Sequence, residues 1–131
     1  MAQNLADWGE NAALDWLMGG ASPTRPSARY LALHTAAPGE SGAANEVGAG
    51  VGYSRQAVTF GAASGGAASN SNAPSFGPAS GAGFGTVTHI SIWDASSGGN
   101  CLWQGAMTAS KAVAAGDALA FAIGEIDLAL D

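Results

Sequence analysis

The sequence predicts a mainly β protein, an antiparallel β-sandwich of jelly-roll-like or immunoglobulin-like outline, with one N-terminal α-helix. Apolar and polar residues alternate with period two over 29–35, 52–60 and 86–93, as they do in half-buried strands. Clusters of Gly, Pro, Asn, Asp and Ser punctuate these runs, and a stretch with helical periodicity lies at 5–18.

The helix is expected over Leu5 to Met18. Asn4 can cap its first turn with Asp7 as reciprocal partner, Asp7 and Glu10 suit the positive end of the dipole, and Gly19-Gly20 supplies the stop. At about 100° per residue, Leu5, Trp8, Ala12 and Trp16 share one stripe, while Leu14, Leu17 and Met18 gather nearly opposite. A small β domain can cover one such stripe, so the other asks for a second surface. Leu5, Trp8, Trp16, Leu17 and Met18 are therefore the candidate partner-contacting residues; the alternative is that this domain buries both stripes itself. The expected division is an anchoring helix over 1–20 and a β-sandwich over 21–131.

Pro23 and Pro26 make 21–26 a linker or turn. Arg29 to Thr35 is the first strand, stopped by Pro38-Gly39, and 40–52 is a polar, glycine-rich loop. Gly52 to Phe60 is the second, with Val58 and Phe60 on one side and Arg55 on the other. Gly61 to Ala73 is too lean in apolar residues to fold alone, and is either an exposed loop or a segment held by a neighbouring chain. Ser75-Phe76 and Phe84 flank a bend as a short strand or edge anchors.

The segment 85–131 reads as a β-meander. In Thr86 to Trp93, strict alternation puts Val87, His89, Ser91 and Trp93 on one side and Thr86, Thr88, Ile90 and Ile92 on the other, with Ile90 and Ile92 marking the core. Asp94 to Asn100 collects turn formers and leads into Cys101-Leu102-Trp103, which is a hairpin with a long loop. A further strand at Lys111 to Val113, a turn at 115–117, and extended segments at 118–123 and 126–130 complete the chain.

Length and charge exclude several functions. The 131 residues suit one domain. Charged residues make up 11% of the chain against an ordinary share of about 25%, so much of the surface is built from small residues that lose little rotamer entropy on contact. A net charge of −6, with Lys111, Arg25, Arg29 and Arg55 as the whole cationic complement, speaks against nucleic acid as a partner. The first twenty residues carry three acids and no base, unlike a secretory signal, and no apolar run approaches the ~20 residues of a membrane span. Lone Cys101 in a strand reads as a buried small hydrophobe.

No catalytic constellation, cofactor motif or metal-ligand set emerges. The candidate bases, His34 and His89, both fall mid-strand, where packing is the commoner role. The glycine-rich runs lack the Lys and the strand-to-helix setting of a phosphate loop. Asp94 with Asn100, and Glu125 with Asp127, are the nearest approach to a cation site; a turn-organising role for Asp94 and a solvated strand face for the other pair explain them. Trp93 and Trp103 flank the hairpin and could stack on a sugar, although cross-strand packing is the ordinary use of such a pair.

The order Tyr30-Leu31-Ala32-Leu33-His34-Thr35-Ala36-Ala37-Pro38, Glu46-Val47, Gly52-Tyr53-Ser54-Arg55-Gln56-Ala57-Val58-Thr59-Phe60 and Gly85-Thr86-Val87-Thr88-His89-Ile90-Ser91-Ile92-Trp93-Asp94 resembles small tailed-bacteriophage structural proteins. The opening helix and the closing Gly98-Gly99-Asn100-Cys101-Leu102-Trp103, Lys111-Ala112-Val113 and Gly116-Asp117 fit as well, so the resemblance spans essentially the whole chain. Members range from tail-fibre-like to head decoration proteins. The resemblance implies a virion component without an active site, made in the host cytoplasm. Its size favours a capsid decoration, or cement, protein on the outer face of the major capsid protein lattice, associated as a homo-oligomer, a trimer by analogy. The alternative is a tail-fibre or tail-tip receptor-binding module, with Trp93, Trp103 and the 94–100 loop meeting host glycans. Neither reading invokes a membrane or nucleic acid.

Overall fold

The structure, a computed structural model, describes residues 3–130, so the outermost ends of the expected segments, 1–2 and 131, lie outside it. In chain order the elements are β1 (Gln3–Leu5), α1 (Asp7–Met18), β2 (Tyr30–His34), β3 (Gln56–Ala57), β4 (Ala67–Ser69), β5 (Ser75–Phe76), β6 (Gly85–Trp93), β7 (Cys101–Val113), β8 (Leu119–Ala120) and β9 (Asp127–Ala129). A five-stranded sheet runs β1-β7-β6-β2-β3, and two-stranded ribbons β4-β9 and β5-β8 accompany it. Every pairing is antiparallel. The mainly β expectation, with one N-terminal helix, is what the chain adopts.

The core lies between the central sheet and the ribbons. Leu31 and Leu33 of β2 and Val87, Ile90 and Ile92 of β6 meet Phe76, Leu119, Phe121 and Ile126 in one buried cluster. Each such side chain contributes about 1.5–3 kcal/mol by leaving water. Phe121 meets Phe76 edge-on with centroids 6.2 Å apart, and Tyr53 stacks on Phe76 at 6.1 Å.

Ile90 and Ile92 face this core as expected, but Val87 joins them where strict alternation would turn it away. The reason is an irregularity in the β6–β7 register between Val87 and His89: Val87 pairs with Lys111 and His89 with Ala106. The ladder is broken between these two residues, so the side chains before and after the break need not keep one alternation. The same pairing explains why 101–113 is one strand of 13 residues rather than the two short ones expected.

The helix begins later than its capping signal suggests. Asn4 sits in β1 opposite Gln104, and the N-cap is Ala6, with no side-chain cap hydrogen bond. Backbone carbonyls replace the cap, since Ala6 N donates to Leu102 O and Asp7 N to Glu40 O, both at 3.0 Å. The stop is as expected: Gly19 adopts φ 81° and its N–H returns to Asp15 O.

Two other segments depart from expectation. Of 52–60, only Gln56–Ala57 is strand, although Val58 is buried and Phe60 bridges Asn70. The lean segment 61–73 is held by this chain's own end, with Ala67–Ser69 pairing Asp127–Ala129. Asn70, buried beside that ribbon, locks it: its Oδ1 accepts Ile126 N at 2.8 Å and its Nδ2 donates to Ala122 O and Asn72 O. One amide side chain supplies the order that apolar burial could not.

Candidate functional site

The helix carries four of the six large apolar side chains that stand exposed among the described residues. Its inner azimuth carries Gly9, which is buried, and half-buried Trp8, Ala12 and Ala13. Gly9 is required there by close approach, because a Cβ would lie 2.5 Å from Leu102 O and 2.9 Å from Leu5 Cδ2. Opposite it, Leu14, Leu17 and Met18 are 61%, 66% and 79% exposed. Trp16 lies on the inner stripe, toward the 23–26 strap, and is 70% exposed. A groove of about 380 Å³ runs between the helix and the 23–26 strap, lined by Trp8, Ala12, Ala13, Trp16, Pro23 and Pro26 among others.

The structure separates the five candidate contact residues. Leu5 is half-buried in β1 opposite Trp103, so it belongs to the sheet and not to the helix stripe. Trp8 packs against the core cluster. Trp16, Leu17 and Met18 remain open, Trp16 on the inner side and Leu17 and Met18 on the outer stripe, which Leu14 completes. Leu14 shares the Leu17–Met18 stripe in sequence, which is the signal that identifies it.

A second concavity, about 420 Å³, lies over Glu46, Tyr53, Arg55 and the hairpin loop. Its floor is saturated by internal bonds. Arg55 grips Glu46 through Nε and Nη2, both at 2.9 Å, donates Nη1 to Ala95 O and Gly98 O, and lies 4.1 Å over the Trp93 ring. Tyr53 Oη donates to Glu46 Oε2 at 2.7 Å and accepts Leu33 N. Burial alone would raise the Glu46 carboxyl, yet the hydrogen bonds from Arg55 and Tyr53 outweigh it and hold it below the ordinary carboxylate value. Burial, then the adjacent carboxylate, push the Tyr53 phenol well above its ordinary value. The cluster ties loop 94–100 to the sheet.

Beneath it runs a buried chain of hydrogen bonds. Ala44 O can only accept, so the proton of His34 is on Nδ1, 2.8 Å from it. Nε2 then accepts the Ser91 hydroxyl at 2.7 Å, and Ser91 Oγ accepts Trp93 Nε1–H at 2.7 Å. Ser91 and His34 are in contact as a nucleophile and base would be, but both are fully buried, so no substrate reaches them. Desolvation by burial is the leading cause of a His34 pKa below the ordinary value. Burial also pushes the Cys101 thiol up to about 12, in keeping with a small core residue.

The remaining polar candidates are structural. Asp94 Oδ1 accepts Asn100 N and Oδ2 accepts Asn100 Nδ2, which closes the hairpin loop. Glu125 Oε2 accepts Ala122 N, and Asp127 Oδ1 accepts Ser69 Oγ. Among the described residues no three His, Cys, Asp or Glu side chains gather as a metal site. Trp93 and Trp103 do not form a sugar platform: Trp93 pairs with Cys101 in a buried cluster on one sheet face, and Trp103 pairs with Ile92 against the core on the other. The irregularity between Ile92 and Trp93 and a buried setting for Trp93 replace the expected flanking pair.

No helix of the described residues is long and apolar enough to cross a membrane. A family model described as Podophage GP4 fiber I protein gp80 matches residues 4–129. A search of curated proteins finds no match.

Proposed function

The chain belongs to the Podophage GP4 fiber I protein gp80 family of phage structural proteins, and from that premise we propose that it is a fibre-associated subunit of the virion tail, attached through its N-terminal helix. The observation that carries the reading is the open apolar surface of α1, where Leu14, Trp16, Leu17 and Met18 are 61–79% exposed, while the body adds only Ile123 and Leu130 as large exposed apolar side chains among the described residues. Exposed apolar surface of this kind marks an interaction site. Trp16, Leu17 and Met18 are the contact residues of this reading; Leu5 and Trp8 support them from beneath.

A second reading, a trimeric decoration protein on the major capsid protein, is favoured by the absence of a repeated shaft in these 131 residues and by a net charge of −6 suited to the outside of a shell. Cryo-electron tomography of virions carrying a tagged copy tests both. Label confined to the tail fibres is the expected result. Label spread over the head would replace the fibre reading with the decoration reading.

A further inference from the structure

We infer that the outer stripe of α1 seats in an apolar cleft with a basic rim on a different polypeptide, and that a second copy of this chain does not cover it. The inference rests on the fibre-subunit reading, whose attachment surface it characterises.

The stripe is apolar and acidic at once. Glu10, Leu14 and Leu17 follow one another at i, i+4 and i+7, and Asp7 and Met18, eleven residues apart, share the adjoining line. Asp7 and Glu10 are exposed and Asp15 flanks them. The helix has acids in its first turn and no basic residue in its last, so its negative dipole end also lacks a cation. Covering the leucines brings these carboxylates to the rim of an interface, where their desolvation is offset only by cations opposite.

This chain is a poor source of those cations. It carries four Lys and Arg against ten Asp and Glu. Arg55 is held by Glu46 and two carbonyls and Arg29 donates to Pro26 O, which leaves exposed Arg25 and Lys111 to meet the three acids of a helix. Two helices face to face would bring six carboxylates into one interface with no cation on either helix to meet them. Shape argues the same way. A helix of 12 residues is about 18 Å long, and a flat contact along one stripe falls well short of the ~800 Å² per partner of a stable interface. A cleft that wraps the helix recovers that area.

The test uses particles purified from a phage whose copy of this gene carries a nonsense mutation, titrated with the labelled full chain. Leu17→Ser is expected to weaken uptake about tenfold or more, as loss of an interface anchor does. Leu14→Ser is a second probe of the same stripe. Both positions are exposed, and near-UV circular dichroism reports that the body is intact. Glu10→Lys is expected to weaken uptake several-fold, and added salt to weaken the wild-type chain more than Glu10→Lys. The isolated chain is expected to sediment as a monomer. Self-association abolished by Leu17→Ser would overturn the inference in favour of a second copy. Uptake sensitive to Leu17→Ser but indifferent to Glu10→Lys and salt would overturn the basic rim, and uptake indifferent to all three would overturn the surface itself. These readouts do not depend on where the tomographic label falls, so a failure of the fibre reading and a failure of this inference are told apart.

Discussion

The two faces of the central sheet are built on different principles. On one, Leu31, Leu33, Ile90 and Ile92 meet Phe76, Phe121 and Ile126, and the contacts are hydrocarbon throughout. On the other, small Ala32 and Cys101 leave room for Trp93, and the polar side chains of His34, Ser91, Arg55 and Glu46 are threaded around it. Apolar contacts are non-directional, so the first face tolerates any arrangement that fills space. Hydrogen bonds are directional, and each buried partner depends on the next. The hydrocarbon face supplies stability, and the threaded face fixes where the 40–55 and 94–100 loops lie.

That contrast can be broken in order of size. Phe121→Ala empties a fully buried position on the hydrocarbon face and is expected to cost about 3–5 kcal/mol in urea unfolding. A loss under about 1 kcal/mol would show that the ribbons are dispensable to the core. Glu46→Ala strips Arg55 of two hydrogen bonds and is expected to cost about 1.5–3 kcal/mol, with the 94–100 loop gaining hydrogen-exchange rate. If the loop's protection were unchanged, the positioning role of the threaded face would be lost.

Acid separates the faces further. Burial holds the His34 imidazole below its ordinary value of 6.5 in the fold, so below about pH 6.5 the unfolded chain binds the proton first and stability falls as pH drops. Glu46, held below its ordinary value of 4.5 by Arg55 and Tyr53, adds a second loss below about pH 4.5. The urea midpoint is expected to fall in two stages between about pH 7 and about pH 3, and His34→Gln to remove the upper one. A midpoint flat above about pH 5 in the wild-type chain would contradict the buried neutral imidazole. The smallest effect belongs to the open helix. Leu17→Ser, at a side chain 66% exposed, is expected to shift the unfolding free energy of the isolated chain by no more than about 0.5 kcal/mol.

What could be read in the sequence was whatever is local. The alternation of Tyr30–His34 and of Ile90 and Ile92, the Gly19 stop and the Asp94–Asn100 loop each depend on neighbours within a few residues, and each formed. The misses depend on partners far along the chain. Asn4 carries a cap signature, but the pairing with Gln104 claims it for a strand. Asn70 meets Ile126 from 56 residues away, and no periodicity announces a single buried amide. The site divides in the same way. The open Leu14, Leu17 and Met18 stripe follows from helical geometry, whereas the sorting of Leu5 and Trp8 into the body required the position of β7 beneath the helix.

Gly9 carries a consequence for how such a protein diversifies. The helix rests on Leu102 O through a residue with no side chain, and its other holds, the Ala6 and Asp7 amides and Trp8, also lie on the near side, so its seat takes no account of the letters on its far side. Leu14, Leu17 and Met18 are thereby free to be rewritten without unsettling the sandwich, and a few codons suffice to re-address one scaffold to another assembly. A single methyl at position 9 would do the opposite, retaining the address and tilting the whole label.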